Sequence, residues 1–561
     1  DTKVVSAPGK FEDSFALAKS DRFVERLWDK DASLWSDESQ IVEKIGQRLG
    51  WLDSVERLKA NLESLRRWVE EASAEGYADV LLLGMGGSSL CPLVLADVFA
   101  GENEGLRLHV LDTTDPLTIA NITKNLDWSR TIVLVASKSG GTIEVLSLYA
   151  HCRTLADAAT KFVAITDPGT SLVALAKEER FDYCLENPAD IGGRYSALSY
   201  FGFFPALCLG FDFESYMERV DLMLKASQVP VRDNPGLELA VFLAAAYGEG
   251  RDKLCLAVGD SLKSYALWIE QLVAESLGKE GKGIVPIAGA QLREFATSEN
   301  DRMIVAIGSR EEVDRVLQEQ GTNIENGTPC LTIVLDKPHQ IGAEFFRWKM
   351  ATALAGSFLR VNPFDEPNVT ESKAITGTLL AEYEENSALP KQELLVGTDE
   401  LDIYGNMDWD LVAEPGDLTD ILRAFVGRID TGDFVGILAY LPYTEDSALG
   451  AQSLRESFSN HQGWLTTLGY GPRFLHSTGQ LYKGGANNGH FIQLTCEDEV
   501  DFPIPGRPFS FSVLKAAQAA GDMQTLEAHG RRVLRCHFKT RPVEGFEYLK
   551  GLLDRVLEEE G

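Results

Sequence analysis

The sequence predicts an α/β protein with two doubly wound parallel sheets, a helical segment before them and a smaller α/β region after them. Three observations predict this class. From about residue 75 to 215 apolar runs of strand length alternate with helical patterns. The alternation resumes between about 230 and 390. Two turns rich in glycine and hydroxyls, Gly84 to Ser89 and Ser137 to Thr142, stand where strands hand over to helices, at the strand ends that carry ligands in open α/β sheets.

Residues 1–70 read as helical and amphipathic, with Phe11, Phe15, Leu27 and Trp28 available to cap a neighbouring core. A first α/β domain, 75–225, carries the strand-like runs Val80 to Leu83, Leu106 to Leu111, Thr131 to Ala136, Phe162 to Thr166 and Phe181 to Leu185. A second, 226–390, carries Leu254 to Val258, Met303 to Ile307 and Leu331 to Leu335, then a long helix from Gly342 to Leu359. The polar stretch 384–391 reads as a linker. The remainder, 391–561, offers strands at Phe434 to Leu441 and Phe491 to Leu494, with helices near Leu418 to Ile429 and Leu449 to Thr467. It is expected to close over the other two units, with the glutamates 558–560 as a solvated end.

A chain of 561 residues exceeds what one core supports, and its 44% apolar and 25% charged residues are those of a globular protein. Lys and Arg (53) less Asp and Glu (85) give −32, which repels nucleic acid and anionic membrane alike. No apolar run reaches the ~18 residues of a spanning helix, and no signal peptide pattern opens the chain. The eight cysteines form no C-x-x-C pair, which points to a reducing compartment, the cytoplasm, and away from a disulfide framework or a zinc site. An anionic ligand must therefore be held by local groups.

Ser137-Lys138-Ser139-Gly140-Gly141-Thr142 supplies such groups: hydroxyl donors, glycines that let the backbone approach, and the positive end of the next helix. An ordinary hydroxyl-capped turn would look similar, but Gly84-Met85-Gly86-Gly87-Ser88-Ser89 repeats the pattern on another strand. The dinucleotide fingerprint fails because Ser89 stands where its third glycine belongs, and no Walker A motif is present. A small phosphate ester is the expected ligand.

Gln271 and Glu275 lie four apart on a helical pattern that Gly278 ends, which puts both on one face and Glu275 beside the negative end of the dipole. A carboxylate there has its proton affinity raised, as a general base requires, although most glutamates simply face water. Arg194, in Gly192-Gly193-Arg194-Tyr195-Ser196, reads either as an ion-pair partner or as an oxyanion stabiliser.

Taken in order, the turn at Gly84 to Ser88, the SKSGGT turn, the GGRYS segment, Ala274 to Lys279 and Asn362-Pro363-Phe364-Asp365 resemble the phosphoglucose isomerase family. The length and the segment Phe474 to Gln480 resemble the isomerase part of bacterial fusions of transaldolase with glucose-6-phosphate isomerase, in which a transaldolase domain would precede residue 1. The resemblance implies two sugar-isomerase domains and reversible isomerisation of glucose 6-phosphate to fructose 6-phosphate through an enediolate, as in glycolysis and gluconeogenesis. It implies no metal and no cofactor.

By motif, it implies that Gly87, Ser88, Ser137, Ser139 and Thr142 bind the phosphate with Lys138 adjoining, that Glu275 moves the proton, that Arg194 stabilises the enediolate and that Gln271 positions the substrate. Lys373 matches the lysine of ring opening. Glu366 stands where the family has glutamine, which removes a donor and makes Glu366 a candidate partner for Lys373. For the ring-opening histidine, His476 is preferred to His339 and His490. Two other readings remain: a non-catalytic sugar-phosphate-binding regulator, and the isomerase component of an amino-sugar-forming enzyme. Either a homodimer completes the site, or the C-terminal region completes it within a monomer.

Overall fold

A computed structural model describes residues 2–230, 232–295, 300–405 and 417–560; Asp1 and Gly561, the ends of the first and last expected segments, lie outside the described residues. The first sheet has five parallel strands in the order Arg107–Leu111, Asp79–Gly84, Thr131–Ala136, Lys161–Thr166, Tyr183–Glu186. Its central strands are buried on both faces, which is why Val80 to Leu83 and Ile132 to Ala136 are continuously apolar. Asp79–Gly84 and Thr131–Ala136 are neighbours, and the chain leaves them toward opposite edges of the sheet. Both hydroxyl turns therefore open into one switch-point crevice.

The second sheet sets Val285–Ile287, Lys253–Val258, Arg302–Gly308 and Cys330–Val334 parallel. Its fifth strand corrects the expectation of a wholly helical N-terminus: Thr2–Ser6 joins the edge antiparallel to Cys330–Val334 before the helices Phe11–Ser20 and Ser54–Ala74 begin. Four half-buried residues and the exposed Lys3 are too short a run for periodicity to register.

Apolar residues of both sheets belong to one continuous core, with Leu82 and Leu134 on one side and Leu256 and Val305 on the other. Helices Tyr200–Leu209, Pro235–Tyr247 and Ile341–Leu359 fill the space between, and burial on every side explains why they lack a polar face.

The third sheet orders Leu394–Gly397, Leu401–Gly405, Arg532–Phe538, Gly489–Cys496, Phe434–Tyr440 and Thr466–Tyr470, the last four parallel. With six strands it is wider than either of the others, so the C-terminal region is not the smaller appendage expected. Helix Glu445–Gln462 stops at the left-handed Gly463, and Thr466 and Thr467, expected at the end of that helix, begin a strand instead. The helix Pro367–Asn386 runs into the expected linker and ends at Ser387.

Helix Phe511–Ala528 binds this region to the rest. Phe511 and Leu514 pack with Leu81 and Val133 of the first sheet. Gly521 lets the helix meet Pro367–Asn386 closely, since a Cβ there would stand 2.6 Å from Thr376 Oγ1.

Candidate active site

At the switch point the first hydroxyl turn is wedged between three other segments. Gly86 has φ +52, and a Cβ on it would lie 2.5 Å from the His476 carbonyl oxygen and 2.8 Å from Gln271 Nε2. One on Gly87 would lie 2.1 Å from the Gly193 carbonyl oxygen. The glycines of this turn are thus what allows the His476 segment, the Gln271 helix and the GGRYS segment to converge. In the second turn Gly140 has φ +68, and Thr142 precedes helix Ile143–Leu155 as its N-cap, leaving the helix N-terminus facing the crevice.

The convergence encloses a cleft of about 270 Å³. Gly87, Ser88, Lys138, Ser139 and Thr142 wall one part of it; Arg194, Gln271, Glu275, Glu366, Lys373 and His476 wall the rest. A second cavity of about 290 Å³ shares Ser139, Thr142, Lys373 and His476 and extends to Glu144 and Gln518. Of the expected site residues, Ser137 alone is absent from the cleft wall. It is buried, and its hydroxyl lies 2.8 Å from Thr142 Oγ1, so it holds Thr142 in place. Lys138 spends its charge on a salt bridge to Asp167.

Glu275 sits near the end of helix Lys263–Leu277, nearly all of which is buried. Its pKa is pushed up to about 7, first by burial; Glu366 adds to the rise, while Arg194, Lys373 and Lys279 oppose it. Burial, rather than the helix dipole invoked from sequence, is therefore the main cause. Gly278 ends the helix with an ordinary φ of −82. Glycine is needed there because a Cβ would lie 2.5 Å from Leu481 Cα, on the segment that follows His476. Gln271 donates from Nε2 to the His476 carbonyl at 2.7 Å, while its buried Oε1 has no partner among the described residues.

Arg194 is buried and almost fully committed. Nε donates to Ser276 Oγ at 2.8 Å, Nη2 to the carbonyls of Pro363 (2.7 Å) and Asp365 (2.9 Å), and Nη1 to Glu366 Oε2 at 3.0 Å. Burial opposes its charge, and Glu275 and Glu366 more than offset that. Glu366 thus pairs with Arg194 and not with Lys373, correcting the expectation: the guanidinium already beneath the loop 362–366 captures it.

Three further residues escaped the sequence reading. Lys279 reaches under the same loop to the Asn362 carbonyl at 2.7 Å and Asp365 Oδ1 at 2.8 Å, its pKa lowered to about 8 first by burial and next by Arg194. Glu144, in the first turn after the SKSGGT motif, lies 2.9 Å from His476 Nε2 and accepts from Gln518 Nε2 at 2.8 Å. Although burial acts against it, His476 and then Lys373 hold the Glu144 carboxyl below the usual range. An acidic residue directly after a phosphate-type turn was a readable signal; nothing in the sequence marks Gln518. His490 is buried against Asp433 at 2.7 Å and His339 lies in the turn Pro338–Gln340; neither lines the cleft.

Two largely parallel sheets frame a cleft in which a phosphate-type cradle faces a buried carboxylate beside an arginine, the groups that proton transfer on a small phosphorylated substrate requires. The model of the phosphoglucose isomerase family matches residues 31–298 of this chain. Similar proteins include a glucose-6-phosphate isomerase of Nostoc punctiforme, 28% identical over 462 residues that cover 72% of this chain and 86% of that one. A probable glucose-6-phosphate isomerase of Methanococcus maripaludis is 27% identical over 388 residues, 61% of this chain and 87% of that one. Among solved structures, a hypothetical protein of Thermus thermophilus superposes with a TM-score of 0.58 at 25% identity, covering 68% of this chain and all of that one. A glucose-6-phosphate isomerase of Chlamydia trachomatis has the same fold, with a TM-score of 0.57 at 16% identity over 68% of this chain and 89% of that one.

Proposed function

We propose that the chain interconverts glucose 6-phosphate and fructose 6-phosphate by metal-free proton transfer through an enediolate, the step shared by glycolysis and gluconeogenesis. The observation that carries this reading is Glu275: a buried carboxylate with its pKa near 7, in one cleft with the hydroxyl turns.

The phosphate would rest on Ser88, Ser139 and Thr142 and on the N-terminus of helix Ile143–Leu155, which fixes the sugar carbons toward Glu275. His476, oriented by Glu144, and Lys373 open the ring. Glu275 then takes the proton from C2 of the open aldose and returns it to C1. Arg194, next to Glu275 and immobilised by four hydrogen bonds, opposes the charge that grows on the carbonyl oxygen. A preorganised donor of this kind contributes ~3 to 4 kcal/mol at the transition state.

A regulator that only binds sugar phosphate would need the turns alone; the gathering of Glu275, Arg194, Lys373 and His476 around them favours catalysis. His476 comes from this same chain, which supports a site complete within one subunit. In this reading the units 75–225 and 226–390 form the cleft, 391–561 supplies His476, and the enzyme works in the cytoplasm with its eight cysteines free. The test is to incubate the protein with fructose 6-phosphate, with and without chelator, and follow glucose 6-phosphate. Chelator-insensitive conversion is expected; no conversion, or a rate that chelator abolishes, contradicts the proposal.

A further inference from the structure

A cavity of about 410 Å³ lies between the third sheet and the start of helix Phe511–Ala528, with the stretch Pro390 to Leu394 along its rim. It is well separated in its lining from the isomerase cleft, with which it shares no residue. Its wall includes Arg535, which rises from the middle of strand Arg532–Phe538. Arg535 is buried and, among the described residues, forms no salt bridge: Nε donates to Gln493 Oε1 at 2.6 Å, Nη1 donates to Gln392 Oε1, and the buried Nη2 has no partner.

A buried guanidinium held by two neutral amides carries an unusual cost. Burial lowers its pKa to about 10, with Tyr440, Asp522, Glu527 and Tyr404 acting against that fall. Asp522 is itself spent on Lys483 at 2.6 Å and on Gln493 at 3.2 Å. The acid in the cavity wall, Asp498, is bound to Lys515, which also holds Asp115 at 2.9 Å. The exposed Lys391 at the rim adds a further positive charge. In a chain of net charge −32, a cavity whose charged groups without a salt bridge, among the described residues, are an arginine and a lysine stands out.

We propose that this cavity is a second ligand site, which takes a small organic oxyanion, a carboxylate or phosphate on a metabolite-sized body, against Arg535 with Lys391 at its mouth. The planar guanidinium with one free nitrogen suits a single oxyanion group, and the volume suits a small metabolite. Tyr404 offers an aromatic surface for the remainder of the molecule. Helix Phe511–Ala528 joins the site to the second cavity beside the isomerase cleft: it turns Lys515 and Ala519 toward the proposed site and Gln518 toward Glu144.

The test is crystallographic and by titration, on the full chain. Crystals soaked in selenate, a tetrahedral dianion with an anomalous signal, should show a peak within hydrogen-bonding distance of Arg535 Nη2. Inorganic phosphate and malonate, titrated separately, should displace it, and the tighter of the two identifies phosphate or carboxylate as the natural group. Arg535→Met should weaken occupancy about tenfold or more, as for a lost charge-assisted hydrogen bond. Lys391→Ala, at an exposed position that leaves the fold alone, should weaken it several-fold. No peak at Arg535, whether or not the SKSGGT turn fills, overturns the proposal; so does occupancy that neither substitution changes.

Discussion

The Glu275 carboxylate lies 3.7 Å from Arg194 Nη1, close enough for attraction and too far for a hydrogen bond, while the same nitrogen donates to Glu366 at 3.0 Å. Glu275 therefore has an ion pair but no hydrogen bond to its nearest cation, and burial dominates its proton affinity. Glu275 is held instead by a long hydrogen bond from Gln271 Nε2 at 3.4 Å and by the loose ion pair with Arg194 at 3.7 Å.

This sets the pH dependence. Glu275 acts as a base only when ionised, so kcat/KM should fall about tenfold per pH unit below a pKa of about 7 and level off above it. A pH-rate profile in saturating and limiting fructose 6-phosphate checks this. An acid limb in the ordinary carboxylate range near ~4.3 would contradict it.

Glu366→Gln should move that limb. The Glu366 charge raises the Glu275 pKa, so removing it lowers the pKa and leaves more ionised base at pH 6. The ratio of activity at pH 6 to that at pH 8 should rise in the variant. An unchanged ratio would show that the Glu366 charge is not felt at Glu275.

Gln518 and Glu144 orient the histidine from behind, since Gln518 donates to Glu144 Oε1 at 2.8 Å and His476 Nε2 lies 2.9 Å from the same oxygen. Glu144→Gln should slow conversion of the cyclic sugar phosphate by roughly ten- to a hundredfold, toward the low end of losses for general acid-base groups. Glu275-dependent exchange of the C2 proton in an open-chain analogue should persist. Gln518→Ala should show a weaker form of the same split. Equal losses on both substrates would mean that the pair serves the fold alone.

Lys349 predicts a stability effect remote from catalysis. It is fully buried beneath the Trp51 and Phe346 rings, and burial lowers its pKa from 10.5 to about 7. With the folded pKa below the unfolded one, lysine costs nothing above about 10.5, and the cost grows as pH falls to about 7 and then stays constant. Lys349→Met should thus be more stable than the parent by an amount that widens across that window to several kcal/mol. Denaturant unfolding at pH 7 and pH 10 measures it; a gap that does not change with pH would refute the buried neutral lysine.

The first two sheets were legible because parallel strands buried on both faces read as unbroken apolar runs, as at Thr131 to Ala136. The third was harder. Arg532–Phe538 carries Arg535 and His537 on a largely buried face, which breaks the apolar signal, and Thr466–Tyr470 follows a helix after only a short gap. At the site, motif spacing located the turns, Arg194, Gln271 and Glu275, all of which the structure brings to one cleft with Lys373 and His476. It could not reveal the partner of Glu366, or Lys279, or Gln518. Those depend on how segments more than 80 residues apart meet, and local pattern carries no trace of it.

The most direct measurement is isomerase turnover of Glu275→Gln on fructose 6-phosphate at pH 8, with the melting temperature recorded beside it. Glutamine keeps the shape and removes the base, so turnover should fall by about 10²- to 10⁴-fold in a protein that melts like the parent. Turnover within tenfold of the parent would contradict the assignment of Glu275 as the group that carries the proton.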